Sequence, residues 1–209
     1  MVATLPALKR SPNSHSPLEV ALKKLDLGCG KSKHPGTIGI DKLGGKGDIN
    51  YIFESKVYFP IRDNSIDEVY AIDVIEHVDK VPWFLKEVHR VCVDGAKVHI
   101  RYPHSSMPNA PNDVTHESHG FGLHAFDHFD PRKELGKYEY FSDFGVEFPF
   151  RVERCEPEFL NDPGRLTYRF AGWVSRKLYE AKGPDWYEIF GVRLVPLMNV
   201  NLEMTVLKR

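Results

Sequence analysis

Apolar positions along the chain fall into short strand-like runs around one clear helical stripe. Lys23 to Leu27 reads as a short strand closed by the turn Gly28-Cys29-Gly30. Thr37 to Ile40 reads as a β-branched strand that ends at Asp41, and Ile66 to Ile72 alternates as a further strand. From about Val81 to Val91, the residues Trp83, Phe84, Val88 and Val91 recur at helical spacing, with Pro82 in the first turn. Asp94-Gly95 is the expected stop, after which Lys97 to Tyr102 resumes as a strand ended by Pro103. Strand, helix, strand in this order argues for a parallel sheet with helices on its faces.

The flanks carry weaker signals. Residues 1–20, rich in Ser, Pro and Asn, read as a flexible tail, which leaves 21–209 as one domain. Residues 103–131 hold four Pro and five of the ten His without clear periodicity. Loops that long inside a compact domain are commonly functional, and this one is expected to be a lid over an acceptor site. Arg151 to Phe159 reads as a strand. A helix from about Gly164 to Lys182 is expected to bury Leu166, Phe170, Trp173, Val174 and Leu178, and Val200 to Leu207 alternates like a terminal strand.

Composition narrows the function classes. The 209 residues suit one domain, and a formal net charge of −1 gives no overall field toward phosphate backbones or anionic lipid. No nucleic-acid partner and no membrane are therefore expected. Arg165, Arg169, Arg176, Lys177 and Lys182 make the later helix basic on one side, which more often marks a solvated face than a lipid contact. Three cysteines without paired spacing read as reduced thiols, and no stretch approaches a membrane span or a secretory h-region, so a cytoplasmic location is expected.

The strongest chemical signal is LDLGCG at 25–30, followed by an acidic residue at the tip of the next strand. Glycine lets the backbone turn sharply and approach a ligand, and a strand-tip carboxylate can accept both hydroxyls of a ribose. The pattern points to a nucleoside. It resembles the class I methyltransferases that use S-adenosylmethionine: LDLGCG matches their first motif, and GID at 39–41 the acidic second. FPIRDNSIDEVYAIDVIEHV at 59–78, followed by a helix and KVHIRYPH, is similar to the segment around their fourth strand. The resemblance covers about Leu22 to His104.

That resemblance implies an α/β fold, a Rossmann-like three-layer sandwich with a mainly parallel seven-stranded sheet and an antiparallel last strand. It implies S-adenosylmethionine as cofactor, bound by the turn Gly28-Cys29-Gly30. Asp26 would orient that loop, and Asp41 would hold the ribose. Backbone at Ala71, Ile72 and Asp73 would close over the cofactor, with Asp48 on the adenine side. One spacing departs from the usual nucleotide-binding unit. Gly28 to Asp41 is 13 residues (41 − 28) rather than roughly 20, and no third glycine follows Gly30. The first crossover is expected to be short or a loop, which opens the pocket on one side and makes a homodimer plausible as cover.

Candidates for general base or acceptor contacts are His77, His104, His116 and His119, since histidine titrates near neutrality. Each has a bland alternative as an ordinary hydrogen-bonding residue, and His77 could simply cap a turn. Asp113 is a further acceptor-side candidate, and Trp186, Tyr187 and Phe190 could form aromatic walls. His116, His119 and His124 invite a metal reading. The zinc-protease spacing is four on a helix, whereas His116 and His119 are three apart in a loop, so no metal is expected. The expected reaction is methyl transfer to an O or N atom of a small molecule. The alternatives are a protein or RNA methyltransferase of the same fold, and a non-catalytic nucleotide-binding module.

Overall fold

The computed structural model describes residues 23–42, 47–50, 53, 58–107, 112–133 and 147–208. The expected tail at 1–20 lies outside them. The chain runs through β1 (Lys24–Leu27), β2 (Thr37–Asp41), β3 (Ile49–Asn50) and β4 (Ile66–Ile72). It continues with α1 (Val81–Val91), β5 (Cys92–Pro103), β6 (Phe150–Phe159), α2 (Leu166–Lys182), α3 (Pro184–Ile189) and β7 (Leu197–Val206). The seven strands lie in the order β3-β2-β1-β4-β5-β7-β6. All described pairings from β3 to β5 are parallel, and β7 runs antiparallel to both β5 and β6. This is the Rossmann-like sheet expected, with its single reversed strand.

The apolar alternation read from the sequence is the buried face. Val69 and Ala71 of β4, Val98 and Ile100 of β5, and Leu202 and Met204 of β7 share one buried core with Phe84, Leu85, Val88 and Val91 of α1. Each such side chain contributes roughly 1.5–3 kcal/mol when removed from water. The helix passes into β5 without a loop, because Cys92 is already extended and pairs with Ile66. Asp94-Gly95, expected to end the helix, lies instead within the first residues of the strand. Gly95 takes φ +78° there, and the β4–β5 register slips between Ile66 and Glu68.

The other face of the sheet is polar. Glu68 accepts hydrogen bonds from Tyr70 Oη at 2.7 Å and from His99 Nε2 at 3.2 Å, and pairs with Lys24 Nζ at 2.6 Å. Tyr70 is sandwiched between His34 and His99, at ring separations of 4.3 and 5.0 Å. The β1–β2 connection, residues 28–36, contains no helix. The short crossover anticipated from the 13-residue spacing is a loop, and its His34 ring folds onto this face. None of the helices is long and apolar enough, among the described residues, to cross a membrane. The cysteines are free thiols, and burial pushes Cys92 up to about 12.

Helix α2 corrects one expectation. Phe170 and Trp173 are exposed, as is Leu166, while Gly172 and Ser175 face inward with half-buried Val174 and Leu178. Proximity decides the rotation. The Gly172 Cα backs directly onto the Leu160 carbonyl, leaving no room for a Cβ, so only the smallest residue fits at the contact. Ser175 Oγ meets the hydroxyl of Tyr187, which is fully buried rather than lining a pocket, and that hydroxyl also donates to the Val195 carbonyl at 2.6 Å. Gly172→Ala is expected to destabilise the fold by about 1–3 kcal/mol through overpacking, read as a lower urea midpoint with an unchanged slope.

Candidate functional site

The carboxyl ends of β1, β2 and β4 converge on the glycine turn. Gly28 and Gly30 both occupy the left-handed region, at φ +67° and +51°. A Cβ on Gly28 would sit 2.5 Å from Val74 Cγ2, whereas the space beside Gly30 is open to at least 4 Å. Gly28 N–H donates to the Ile40 carbonyl at 2.8 Å, binding the turn to β2. Asp26 is buried, and one of its carboxylate oxygens faces the His34 N–H at 2.7 Å and His34 Nδ1 at 2.9 Å. Asp41, buried at the tip of β2, accepts the Gly30 N–H at 2.8 Å. Asp48 accepts from Gly39 N–H and Lys33 Nζ, both at 2.8 Å, so it braces the loop behind β2. Cys29 is buried, and desolvation followed by the charges of Asp26 and Asp41 raises its thiol above the ordinary range.

Gly39 was not singled out from the sequence, yet a Cβ there would meet Lys33 Cδ at 2.6 Å and Cys29 Sγ at 2.9 Å. Its signal was only its place within GID.

Beyond Ile72, Asp73 adopts φ +52°, costly for a residue with a Cβ. It is held there by Arg101, whose Nε and Nη2 lie 3.0 and 2.8 Å from its two carboxylate oxygens, and by its own N–H to the Arg101 carbonyl. A 3-10 turn, Ile75–His77, follows. Glu76 is 3% exposed, and desolvation pushes its carboxyl up to about 7. Its backbone carbonyl accepts the N–H groups of Glu117 and Ser118 at 2.9 and 3.1 Å, which brings the 112–119 segment onto this turn. His77 and His116 meet edge to face there, 4.7 Å between ring centres.

The four histidine candidates thus separate. His77 and His116 come together at the β4 tip. His119 is exposed and stands outside that cluster. His104 is buried: its Nδ1 accepts the Ser106 N–H at 3.0 Å, so Nε2 carries the proton and donates to Glu188 at 3.0 Å. That geometry ties the start of the long loop to α3. In the later part of the loop, Leu123, Phe126 and Phe129 are buried in the core.

A cleft of about 900 Å³ opens on the β6–β7 side, away from the glycine turn. Glu156, Glu158, Tyr168, Arg176, Asn199 and Asn201 are among its walls. Glu158 accepts Nδ2 of Asn199 and of Asn201, each at 2.8 Å. Burial raises the Glu158 carboxyl, but these two bonds and Arg101 outweigh it and leave it below the ordinary range. The size suits a small-molecule ligand. Apart from Arg176, read only as part of a basic helix face, these residues were not picked from the sequence, because Glu156 and Glu158 meet Asn199 and Asn201 from segments some forty positions apart.

Comparison with known proteins finds one family model that matches part of the chain and solved structures of similar fold. Residues 40–100 match the model of the methyltransferase domain. A chain from the complex between the Haloferax volcanii Trm112 methyltransferase activator and a proposed methyltransferase is similar over 93% of this chain and 86% of its own, at 12% identity and TM-score 0.51. S-adenosylmethionine-dependent methyltransferases from Mesorhizobium loti (17% identity, 88% and 90% covered, TM-score 0.46) and Archaeoglobus fulgidus (13%, 88% and 86%, 0.47) also align. No curated protein matches the chain.

His104→Ala is expected to cost about 2–4 kcal/mol in urea unfolding, since it empties a buried position and strands the half-buried Ser106 N–H and one face of the Glu188 carboxylate. Binding at the glycine turn should persist.

Proposed function

On the premise that the chain is a class I S-adenosylmethionine-dependent methyltransferase, we propose that it methylates an O or N atom of a small molecule. The observation that carries this reading is the glycine turn facing the Asp41 tip, with open space beside Gly30. Those residues fit the cofactor. Gly30 would admit its amino-acid part against bare backbone, Gly28 would turn the chain beneath it with Val74 packed behind, Asp41 would accept the ribose hydroxyls, and buried Asp26 keeps the loop in shape through His34. Ile72 and Asp73 stand where the β4 tip can close over the same space. Asp48 contributes by bracing Gly39 and Lys33 rather than by a direct contact.

When bound, S-adenosylmethionine supplies a methyl group on a sulfonium that is already a good leaving group. The chain's part is placement: holding the acceptor atom in line is worth several kcal/mol of barrier, about 7–11 in the best-oriented cases. A general base is needed only where the acceptor must shed its proton early. The β6–β7 cleft, on the same edge of the sheet, has the volume for a small acceptor, and the chain's net charge of −1 argues against a polyanionic one.

Calorimetric titration with S-adenosylhomocysteine is expected to give micromolar binding. Asp41→Ala should weaken it roughly 10- to 100-fold, the worth of one or two hydrogen bonds to a charged group. A well-folded protein that binds neither S-adenosylmethionine nor its product would overturn the reading.

A further inference from the structure

The side chains of Glu76, His77 and His116 take no part in the glycine turn, and their polar atoms gather in one place. One ligand atom from each lies within 4.8 Å of those of the other two. Glu76 is 97% buried by the 3% exposure above, and its Oε2 has no hydrogen-bond partner. His116 Nδ1 is likewise buried without a partner. Unsatisfied buried polar atoms are rare and costly, and two of them in one three-residue cluster point to a missing ligand.

The His77 tautomer agrees. His77 Nδ1 lies 3.0 Å from the Thr115 carbonyl, which can only accept, so Nδ1 carries the hydrogen and Nε2 keeps its lone pair. Asp113 accepts Thr115 N–H at 2.9 Å and Thr115 Oγ1–H at 2.7 Å, and so fixes the residue that receives the His77 hydrogen. Its Oδ2 also faces His116 Nε2 at 3.6 Å, an ion-pair distance too long for a hydrogen bond, while His116 Nδ1 points away without a partner. A metal-ligating histidine almost always donates its second N–H to a carboxylate or backbone carbonyl, as His77 does here.

We propose that Glu76 Oε2, His77 Nε2 and His116 Nδ1 form a binding site for a divalent transition ion of the zinc class, with a fourth position open. Two imidazoles and one carboxylate suit zinc or its close relatives better than magnesium or calcium, which prefer oxygen alone. Tetrahedral bonds of about 2.1 Å space ligands by roughly 3.4 Å, so side-chain movements on the order of 1 Å complete the site. The sequence reading saw His116, His119 and His124 and rejected them on spacing. The other two ligands, His77 and Glu76, lie 39 and 40 residues before His116, in the turn after β4.

The location assigns a use, and this part rests on the methyltransferase reading. Val74, two residues before Glu76, packs on Gly28 of the glycine turn, so the Glu76 turn and the glycine turn are neighbours on one edge of the sheet. A metal there takes an acceptor through an oxygen and lowers the pKa of its hydroxyl. The acceptor proton leaves to solvent, the O–CH3 bond forms as the S–CH3 bond breaks, and a neutral thioether remains. The acceptor class is therefore a hydroxyl compound, in place of the amine that the simpler reading allows.

The test is titration of the full chain with Co2+, followed by its visible absorption, with Zn2+ as competitor and S-adenosylhomocysteine calorimetry in parallel. One Co2+ per chain is expected, displaced by Zn2+. Glu76→Gln and His116→Ala should weaken it about 100-fold, and Asp113→Asn, at an exposed position outside the ligand set, about 10- to 100-fold. S-adenosylhomocysteine affinity should stay within about twofold in Asp113→Asn, reporting intact folding. Absence of Co2+ binding to the wild-type chain, or equal binding by all three variants, overturns the site. Metal binding without S-adenosylhomocysteine binding keeps the site and removes the methyltransferase reading instead.

Discussion

The carboxyl edge of the sheet depends on one buried charge. Asp26 lies inside the molecule at the end of β1, and its carboxylate takes hold of the His34 backbone and ring. A longer crossover would fix the glycine turn by the start of a helix. Here the connection has no helix, and carboxylates do that work: Asp26 on His34, Asp41 on Gly30 and Asp48 on Gly39, each receiving a backbone N–H. An ionised acceptor makes such bonds short and strong, so three side chains hold a loop that has little packing of its own.

That arrangement orders the rest of the edge. The glycine turn sits over β1 and β2, the Glu76 turn over the tip of β4, and the roomy cleft over β7 and β6. The middle position belongs to the turn whose carbonyl captures Glu117 and Ser118, which is why the long loop folds inward. His104 and Glu188 then join that loop to α3, so the two ends of the edge are mechanically linked.

Much of this was legible before any coordinates. β4, α1 and the shortened crossover follow from periodicity and spacing, because a half-buried strand and a one-sided helix leave those signatures in the sequence. The terminal strand was placed three residues late, as its start at Leu197 follows a turn with no alternation. The inward face of α2 was misread, because periodicity reports an apolar stripe and cannot say that a neighbouring backbone, at Leu160, admits only Gly172. The cleft and the meeting of Glu76 with His116 were invisible for a plainer reason. Their residues are distant in sequence, and only the sheet order and the folded loop bring them together.

The position of β7 bears on how the sheet comes together. It follows β6 in sequence, yet it lies between β5 and β6, pairing with both. Until β7 docks, β5 lacks a partner on that side and β6 has none, so each presents an open hydrogen-bonding edge. A variant that loosens β7 would expose both edges at once, and edge-to-edge association is then the expected failure.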